Sequence, residues 1–445
     1  MSHSHDHVND QLSDDHLNAD QLNDDQLNDD ERLILEIQEG DRHAHDGEGD
    51  EEPRVGPLEL FFDLVFVFAL TQVTGLMSEE LSWPNMIRGL AILTVVWFSW
   101  AGFSWLTNLV KTDDGGARLV MFASMGGMLV VSLAVPDAFS GGGLTFGIAY
   151  LILSVLYIVL YGVLTRDDPQ VFRAVLRLSV GVVVAPVLLV IAGFFDAGPV
   201  RTALWASAII VLLVGAFASG TGWRVYPSHF AERHGLIVII ALGESIVAIG
   251  IGASALSLDA AAITGSLLGL TIAAALWWQY FDIVALVAER RLSAAVGTEQ
   301  VRMARDSYTM LHLPMVAGIV FFALGVKKVL SYPDKPMSVV ALAALLGGVA
   351  AYLIAHVLFR YRNTRSWNRQ RIVVAILLLV GIFVFRSVDA LYVLIGLTVV
   401  MVLLTAYETF KFREARHEVR EHGAGGRWVN DPTPTIDEVR DPAAP

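Results

Sequence analysis

The sequence contains no cysteine among its 445 residues. This absence excludes disulfide bonds, cysteine-ligated zinc and thiol catalysis. Charged residues are also scarce, at 17% of the chain, against roughly 25% in an ordinary soluble domain. The sequence further lacks a DDxxD-like aspartate run, an HExxH motif, a nucleophile elbow and a P-loop. No cofactor is therefore predicted, and the common signatures of metal-dependent and nucleotide-dependent enzymes are missing.

Hydrophobic residues make up 54% of the chain, and its mean hydropathy is +0.55. After residue 57 they form successive runs of about 20 residues, long enough to cross a bilayer as helices. We predict an all-α, polytopic integral membrane bundle of about twelve transmembrane helices, at 57–76, 88–109, 117–136, 143–164, 174–195, 200–219, 231–252, 262–288, 306–328, 338–359, 371–387 and 389–410. Only the short turn FRSVDA separates the last two, so ten or eleven spans remain alternatives.

The acidic charge is concentrated in the N-terminal tail. The net charge is −14, yet residues 1–52 alone hold 18 Asp and Glu against two Arg. A five-residue leucine repeat among Asp, Asn and Gln fits neither a helix face nor a strand face, so we predict that residues 1–53 are disordered. Histidines in this tail could chelate a divalent metal weakly, or belong to a solvated low-complexity tract. Residues 413–445 are predicted to form a second flexible tail.

Basic residues are distributed unequally among the loops. Loops after even-numbered spans, with their flanks, hold sixteen Lys and Arg, whereas loops after odd-numbered spans hold six. Positive charge resists translocation across the membrane. We therefore predict that both termini are cytoplasmic, which requires an even number of spans.

Two segments of the chain are similar to each other. ELFFDLVFVFALTQ (59–72) and ERHGLIVIIALGES (232–245) each begin with Glu and end with a polar pair, and residues 93–110 match 270–287 in length and aromatic content. The two offsets are 173 and 177 residues. The pattern predicts a duplication of six spans, with halves at 54–228 and 229–412 related by an axis along the membrane normal.

Four motifs carry a resemblance to a known family. PLELFFDLVFVFALTQ, HFAERHGLIVIIALGESIVAIG, LWWQYFD and YTMLHLPMVAGIVFFALG, in this order, resemble signatures of the bacterial low temperature requirement A family. The resemblance covers about residues 54–410 and leaves out the acidic tail. It implies a multi-pass protein of the bacterial inner membrane, and it supplies no catalytic residues.

Ionisable side chains are costly in lipid, so they are expected to face the interior of the bundle or a cavity. Many of them are predicted to lie at one level near the cytoplasmic face, although their helices are far apart in sequence. This convergence predicts a polar site for a small solute, proton or cation, with the candidate residues Glu59, Asp63, Glu232, Arg233, His234, Gln279, Asp282, Arg302 and Asp306. On an α-helix, the four residues Arg302, Asp306, Thr309 and His312 are predicted to form one stripe.

Glu244 is predicted to lie deeper than the other carboxylates. It follows Glu232 by twelve residues, roughly 18 Å along a helix, which places it close to the bilayer midplane. Small residues around it permit close helix approach or local unwinding. With Ser245 beside it, Glu244 is the best single candidate for binding a cation or carrying a proton, and His312 could be its partner.

Each candidate also has a structural interpretation. Glu59, Asp63 and Glu232 could pair with arginines and stabilise the helix N-termini on which they lie. Glu244 could serve as an interhelical hydrogen-bonding residue, and His312 could satisfy backbone groups freed by the following proline.

Three functions are consistent with the sequence. The first is a secondary transporter with a buried acidic site. The second is a membrane enzyme for a lipid or isoprenoid phosphate, in which paired carboxylates hold Mg²⁺ and arginines receive the phosphate. The third is a non-catalytic, lipid-sensing factor in cold adaptation. Membrane lipids are expected partners, whereas nucleic-acid binding has no support because the large charged tract is acidic.

Overall fold

The computed structural model describes residues 55–109, 115–218, 220, 222–254, 259–411 and 413. The predictions about the acidic N-terminal tail, its histidines and residues 414–445 lie outside the described residues. Within the described part of the chain, every named element is helical. The predicted all-α membrane fold is therefore confirmed.

Among the residues that the structure describes, twelve helices are long and apolar enough to span a membrane, which confirms the predicted number. They are α1 (Pro57–Glu79), α2 (Trp83–Leu109), α3 (Gly115–Leu133), α4 (Gly143–Leu164), α5 (Pro169–Gly193), α6 (Pro199–Ala218), α7 (Pro227–Ser254), α8 (Ala260–Ala294), α9 (Gly297–Ser331), α10 (Val339–Thr364), α11 (Arg369–Ser387) and α12 (Ala390–Lys411). In the FRSVDA segment, α11 ends with a 3₁₀ turn at Phe385–Ser387, and α12 begins at Ala390. The last two predicted spans are therefore two helices.

The predicted boundaries are wrong at the polar ends of several helices. The second span begins at Trp83 and the ninth at Gly297, whereas hydrophobicity alone predicted residues 88 and 306. The eighth extends to Ala294, although its α-helical pattern is interrupted after Phe281. These end turns carry charged residues, so a search for apolar runs stops too early, whereas backbone hydrogen bonding continues through them.

Helix starts follow the capping chemistry of the sequence. Helices α1, α5, α6 and α7 begin with proline, whose missing N–H needs no partner in the first turn. The Asp168 carboxylate accepts hydrogen bonds from the backbone N–H groups of Gln170 and Val171, and the side chain of Asn368 caps α11 in the same way. At α1, the Glu59 carboxylate accepts a hydrogen bond from the backbone N–H of Gly56 at 2.9 Å.

Helices α9 and α10 lie at the centre of the bundle. In each of them 72% of the most apolar segment is buried inside the protein, against 22% in α6. Helix α9 packs against α7 and α10, and it also contacts α1 and α2. Apolar side chains on the outer helices remain exposed, as expected for surfaces that face lipid tails rather than water.

The same five neighbour pairs recur among the first six and the last six helices. In each set the first helix packs against the second and third, the third against the fourth, the fourth against the fifth, and the second against the sixth. The sets differ in their last pair, because α5 and α6 pack extensively whereas α11 and α12 contact each other little. This pattern agrees with the internal repeat and its two halves, which stay a prediction.

Two central helices contain π-helical turns. Residues Ala304–Met310 of α9 and Ala343–Gly347 of α10 have this wider geometry. Such turns are rare and occur frequently beside functional sites, because the extra residue per turn redirects the following side chains. The turn in α9 lies directly before His312, so it changes which residues of α9 share a face.

Candidate functional site

A buried arginine joins two buried carboxylates at the start of α1 and α7. One guanidinium nitrogen of Arg233 lies 3.0 Å from Oε1 of Glu59, and the other lies 2.8 Å from Oδ1 of Asp63. Arg233 is fully buried, and the two carboxylates are at most 3% exposed. A buried ion pair of this kind offsets its desolvation only through good geometry and further hydrogen bonds. We call Glu59, Asp63, His229 and Arg233 the inner cluster.

Helix α2 supplies those further hydrogen bonds. The indole N–H of Trp100 donates to Asp63 at 2.8 Å, and Arg233 donates to the Thr107 hydroxyl at 3.2 Å. The second carboxylate oxygen of Asp63, Oδ2, is buried with no hydrogen-bond partner among the described residues. The inner cluster therefore holds three helices together, although Oε1 of Glu59 and Nε of Arg233 also lack a hydrogen-bond partner among the described residues.

His229 is fixed in one tautomer by its neighbours. Its Nε2 lies 2.9 Å from the Glu59 carboxylate, which can only accept, so this nitrogen carries a hydrogen. Asn108 accepts from the backbone N–H of Tyr226 and donates to its carbonyl, which fixes the orientation of the amide. The same amide nitrogen lies 3.1 Å from Nδ1 of His229, so Nδ1 accepts. The network thus orients His229 toward Glu59.

A layer of aromatic and histidine rings lies next to the inner cluster. The His234 ring contacts Trp100, Phe230, Tyr308 and His312, with centroid distances of 4.5–5.4 Å in this layer. Its Nδ1 donates to the carbonyl of Phe230 at 2.9 Å, whereas its Nε2 is buried with no hydrogen-bond partner among the described residues. His234 therefore serves mainly as a packed ring of the core, and its Nε2 is an acceptor that receives no hydrogen bond from the described residues.

His312 lies in the same layer and joins α9 to α8. Its Nδ1 donates to the carbonyl of Ser307 at 3.1 Å, and its Nε2 accepts the hydroxyl of Tyr280 at 2.7 Å. Ser307 belongs to the π-helical turn, where backbone carbonyls lack regular α-helical partners. The structure therefore places His312 among hydrogen bonds of the helix backbone and not beside Glu244.

A second buried ion pair joins the last two helices, and sequence reasoning missed it. Arg371 on α11 donates to both carboxylate oxygens of Glu408 on α12, at 2.7–3.2 Å, and contacts His356 on α10. Asn368 donates to the same carboxylate at 2.7 Å. Arg371 was counted only as a loop charge, although Glu408, an acidic residue within an apolar helix, was a signal that could have revealed the pair.

Glu244 differs from the other buried carboxylates. Its side chain is 3% exposed and accepts the hydroxyl of Thr71 on α1 at 2.7 Å. Among the buried carboxylates of the described residues, Glu59, Asp63 and Glu408 are ion-paired with arginine, whereas Glu244 has no ion pair within 4.0 Å. Lys327 on α9 lies within range for Coulombic attraction but donates its 3.0 Å hydrogen bond to Ser78.

The remaining candidates on α7 and α8 are less central. Glu232 is exposed and accepts the backbone N–H of Val55 at 3.3 Å. Ser245 is buried and donates to the carbonyl of Leu242 within its own helix. Gln279 donates to Thr405 on α12 at 3.2 Å, and Asp282 caps the α-helical part of α8.

The predicted stripe of four residues on α9 is wrong. Arg302 is exposed and Asp306 is half-exposed, whereas Thr309 and His312 are buried. The π-helical turn between Ala304 and Met310 has more residues per turn than an α-helix, so the α-helical spacing used for the prediction does not apply. Asp306 instead pairs with Arg305 at 2.7 Å and with Arg362 of α10 at 3.2 Å.

The described cavities lie away from the inner cluster. One is lined by α2, α4, α5, α6 and the first turns of α9, a second by the starts of α5 and α9 with the loop before α7, and a third by α2 and α6 at the opposite end of α2. None of these three is lined by Glu59, Asp63 or Glu244. The charged residues that were predicted to form one polar site thus belong to separate groups.

Comparison with known proteins agrees with the sequence and the fold. Residues 54–406 match the family model of the bacterial low temperature requirement A protein. A protein of Rhizobium meliloti (strain 1021), described as uncharacterized, is 29% identical over 374 residues, covering 81% of this chain and 90% of the relative.

Twelve membrane-length helices in the described part of the chain, with buried ion pairs between them, define a polytopic α-helical membrane protein. The family match covers most of the chain. The protein belongs to the bacterial low temperature requirement A family.

Proposed function

We propose that the protein is a membrane transporter in which Glu244 binds a proton or a monovalent cation. One observation carries this proposal: Glu244 is a buried carboxylate held by a hydroxyl group and not by an arginine. An ionised carboxylate inside a membrane protein costs free energy unless a cation, a proton or several donors neutralise it. Exchange of a proton or cation at this carboxylate is the chemistry that its surroundings favour.

Lys327 supports a switching role for Glu244. The Lys327 ammonium interacts with the carboxylate electrostatically, and it donates to Ser78, which is on the same helix as Thr71. When Glu244 loses its proton or cation, the ammonium can turn from Ser78 to the carboxylate and compensate the charge. Helices α1, α7 and α9 then change their hydrogen bonds together, as a transport step requires.

Helix α7 connects this site to the inner cluster. Arg233 and Glu244 are eleven residues apart on it, roughly 17 Å along the axis. Helix α1 connects the same two groups, because its Asp63 contacts Arg233 and its Thr71 contacts Glu244. A change at Glu244 that moves α7 relative to α1 therefore acts on both groups.

The enzyme hypothesis is less well supported. It requires paired carboxylates to hold Mg²⁺, whereas the buried pair Glu59 and Asp63 faces Arg233 in the structure. A divalent metal would have to displace a buried guanidinium, which leaves a charge without its partners.

Carbodiimide labelling tests the proposal without knowledge of the substrate. Dicyclohexylcarbodiimide is apolar and adds to a protonated carboxyl group. We expect mass spectrometry of the labelled membranes to locate the adduct on Glu244, with labelling that decreases as the pH rises. The variant E244Q should lose it, whereas E232Q, which changes an exposed carboxylate on the same helix, should keep it. Absence of label on Glu244 at every pH would contradict proton binding there.

Proton flux then tests transport. Purified protein in liposomes that contain pyranine is exposed to a potassium diffusion potential of either polarity. We expect flux above that of empty liposomes for the wild type and for E232Q, and flux at the level of empty liposomes for E244Q. If E244Q conducts as the wild type does, or if the wild type conducts no more than empty liposomes, Glu244 does not carry transported protons.

A further inference from the structure

A cavity of about 430 Å³ lies where α2 and α6 begin, at the end of α2 that is opposite to the inner cluster. The first turns of these two helices line it, together with Phe139 in the loop between α3 and α4 and with Ala197 and Gly198 in the loop before α6. Most of the exposed lining is apolar, and among the described residues Arg88 and Arg201 are the charged ones that line it. A cavity of this composition suits a ligand with an apolar body and a negatively charged group.

Arg201, on the first turn of α6, is buried without a carboxylate partner. It is 7% exposed, and backbone carbonyl groups hold it in place. Its Nε donates to the carbonyl of Ala192 at 3.2 Å, and its Nη1 donates to the carbonyls of Phe139 at 2.7 Å and Ser140 at 3.1 Å. Its Nη2 has no hydrogen-bond partner among the described residues. Carbonyl groups satisfy donors of the guanidinium but do not cancel its charge, so a buried cation here lacks a counter-ion.

Arg88, on α2, contacts the same loop residue as Arg201. Its guanidinium carbon lies 5.7 Å from the centre of the Phe139 ring, and the carbonyl of Phe139 accepts from Arg201. Arg88 is exposed, and its Nη1 donates to the Asn85 side chain at 3.2 Å. Like Arg201, it has no ion pair within 4.0 Å among the described residues. Phe139 therefore brings two guanidinium groups without counter-ions to one cavity.

Two acidic residues belong to the loops that adjoin the cavity, and neither neutralises these arginines. Asp137 precedes Phe139 by two residues, but it accepts the hydroxyl of Ser140 at 3.1 Å and does not line the cavity. Asp196, in the loop before α6, is exposed and also does not line it. The positive charge of the cavity thus remains available to an anion.

The cavity opens toward the membrane. Trp83 and Ile87 line it and are at least half exposed on the surface of the bundle, where apolar side chains face lipid. Trp83 and Trp205 lie close to the starts of their helices, and tryptophan is enriched at the membrane–water interface. On α6, Ile209 lies eight residues after Arg201, roughly 12 Å along the axis, which is within the roughly 15 Å of one leaflet of the hydrocarbon core. A lipid can therefore place its headgroup at the arginines and a chain along the apolar wall.

We propose that this cavity binds a glycerophospholipid of the surrounding membrane through its phosphate group. The phosphate contacts Arg88 and Arg201, since guanidinium groups form charge-assisted hydrogen bonds with phosphate oxygens. The partial positive charge at the N-termini of α2 and α6 adds to this attraction. One acyl chain lies along the wall that contains Ala91 and Ile209. With both termini cytoplasmic, as predicted, the lipid belongs to the leaflet that faces away from the cytoplasm. The site does not include Glu244, so it can be tested independently of transport.

Native mass spectrometry of the delipidated protein tests this site. The probes are palmitoyl-oleoyl phosphatidylglycerol, the diacylglycerol with the same chains and no phosphate, dihexanoyl phosphatidylglycerol and inorganic phosphate. We expect the long-chain phosphatidylglycerol to bind most tightly. The variant R88Q should weaken its tightest binding about tenfold, the effect of losing roughly one hydrogen bond to a charged group. The matched variant R369Q removes an exposed arginine from the first turn of α11, outside the cavity, and should leave this affinity unchanged.

A cavity variant tests the acyl-chain part of the proposal. Ala206 lines the cavity and is exposed, so A206W fills the space without replacing a buried side chain. It should reduce the affinity for the long-chain lipid to that for the dihexanoyl lipid. If A206W does not fold, as judged by its melting curve, the chain-length comparison on the wild type decides.

Three results would overturn the proposal. The first is equal binding of the phospholipid and the diacylglycerol, because the phosphate then contributes nothing. The second is an R88Q variant that binds phosphatidylglycerol as the wild type does. The third is displacement of the lipid by inorganic phosphate with no chain-length preference, because the cavity then takes free phosphate.

Discussion

Thr71 and Glu244 are 173 residues apart in the chain, and a hydrogen bond of 2.7 Å joins their side chains. In the predicted repeat these two residues occupy the same position of their segments, the thirteenth of fourteen. Contact between equivalent residues is expected where helices related by a two-fold axis meet beside that axis. The hydroxyl of one predicted half and the carboxylate of the other then form a single site, in which the two residues have different chemical roles.

The Thr71 hydroxyl is expected to stabilise the protein through this bond. The variant T71V keeps the shape of the side chain and removes its donor, so a buried carboxylate loses its described partner. We expect a loss of about 1–3 kcal/mol in the free energy of unfolding, the usual effect of leaving a buried polar group unsatisfied. Melting curves in detergent measure the loss.

Two further variants separate this effect from a change in packing. T71S retains the hydroxyl and should melt close to the wild type. The double variant T71V/E244Q removes the charge together with the donor, and it should recover part of the stability lost in T71V. Equal melting of T71V and T71S would show that the bond contributes little.

Arg233 is expected to be essential for folding. The variant R233M leaves Glu59 and Asp63 buried without their cation, and breaking a buried pair in this way typically costs about 3–5 kcal/mol. We expect little folded R233M in the membrane, measured by size-exclusion chromatography of a fluorescent fusion.

The charge-free combination E59Q/D63N/R233M tests the cause. Because it removes the carboxylates as well as the guanidinium, it should yield more folded protein than R233M. A triple variant that is as poorly folded as R233M would show that the geometry of the network, and not the uncompensated charge, determines the outcome.

The contact between Gly318 on α9 and Gly348 on α10 is expected to tolerate no side chain. A methyl group on Gly318 would lie 2.6 Å from the carbonyl oxygen of Gly348, a backbone atom that cannot turn away. We therefore expect G318A to lower the melting temperature strongly, as overpacking costs about 1–3 kcal/mol or more.

Gly126 on α3 provides a matched control. A methyl group at this position would meet no atom within 4 Å. The variant G126A should melt at or slightly above the wild-type temperature, because alanine favours the helix. A similar effect of the two substitutions would contradict the packing of α9 against α10.

The number of helices could be predicted from the sequence, whereas their polar partners could not. Apolar runs specify spans directly, since lipid requires a continuous helix of fixed length. The partner of an ionisable residue depends on which helices pack together. The sequence placed Arg233 beside Glu232, yet Arg233 turns inward to Glu59 and Asp63, because neighbouring residues on a helix point to different faces.

The π-helical turn explains the main error on α9. Nothing in ARDSYTM distinguishes a π-helical from an α-helical segment, so regular spacing was applied across it. The Arg371–Glu408 pair was missed for another reason, because Arg371 was counted among the basic residues that flank a loop and Glu408 lies within the predicted apolar span 389–410. Such features depend on tertiary packing, which local sequence patterns do not specify.

The orientation in the membrane stays a prediction, and the lack of cysteine makes it simple to test. Two exposed loop residues lie at opposite ends of α5. They are Asp167, between α4 and α5, and Asp196, between α5 and α6. If both termini are cytoplasmic, the loop with Asp167 faces the cytoplasm and the loop with Asp196 faces the outside.

The single-cysteine variants D167C and D196C distinguish the two orientations. Intact cells or spheroplasts that carry each variant are treated with a membrane-impermeant maleimide. We expect labelling of D196C in intact cells, and of D167C only after lysis, because the reagent cannot cross the bilayer. The wild type, which has no cysteine, gives the background. Labelling of D167C but not D196C in intact cells would reverse the orientation.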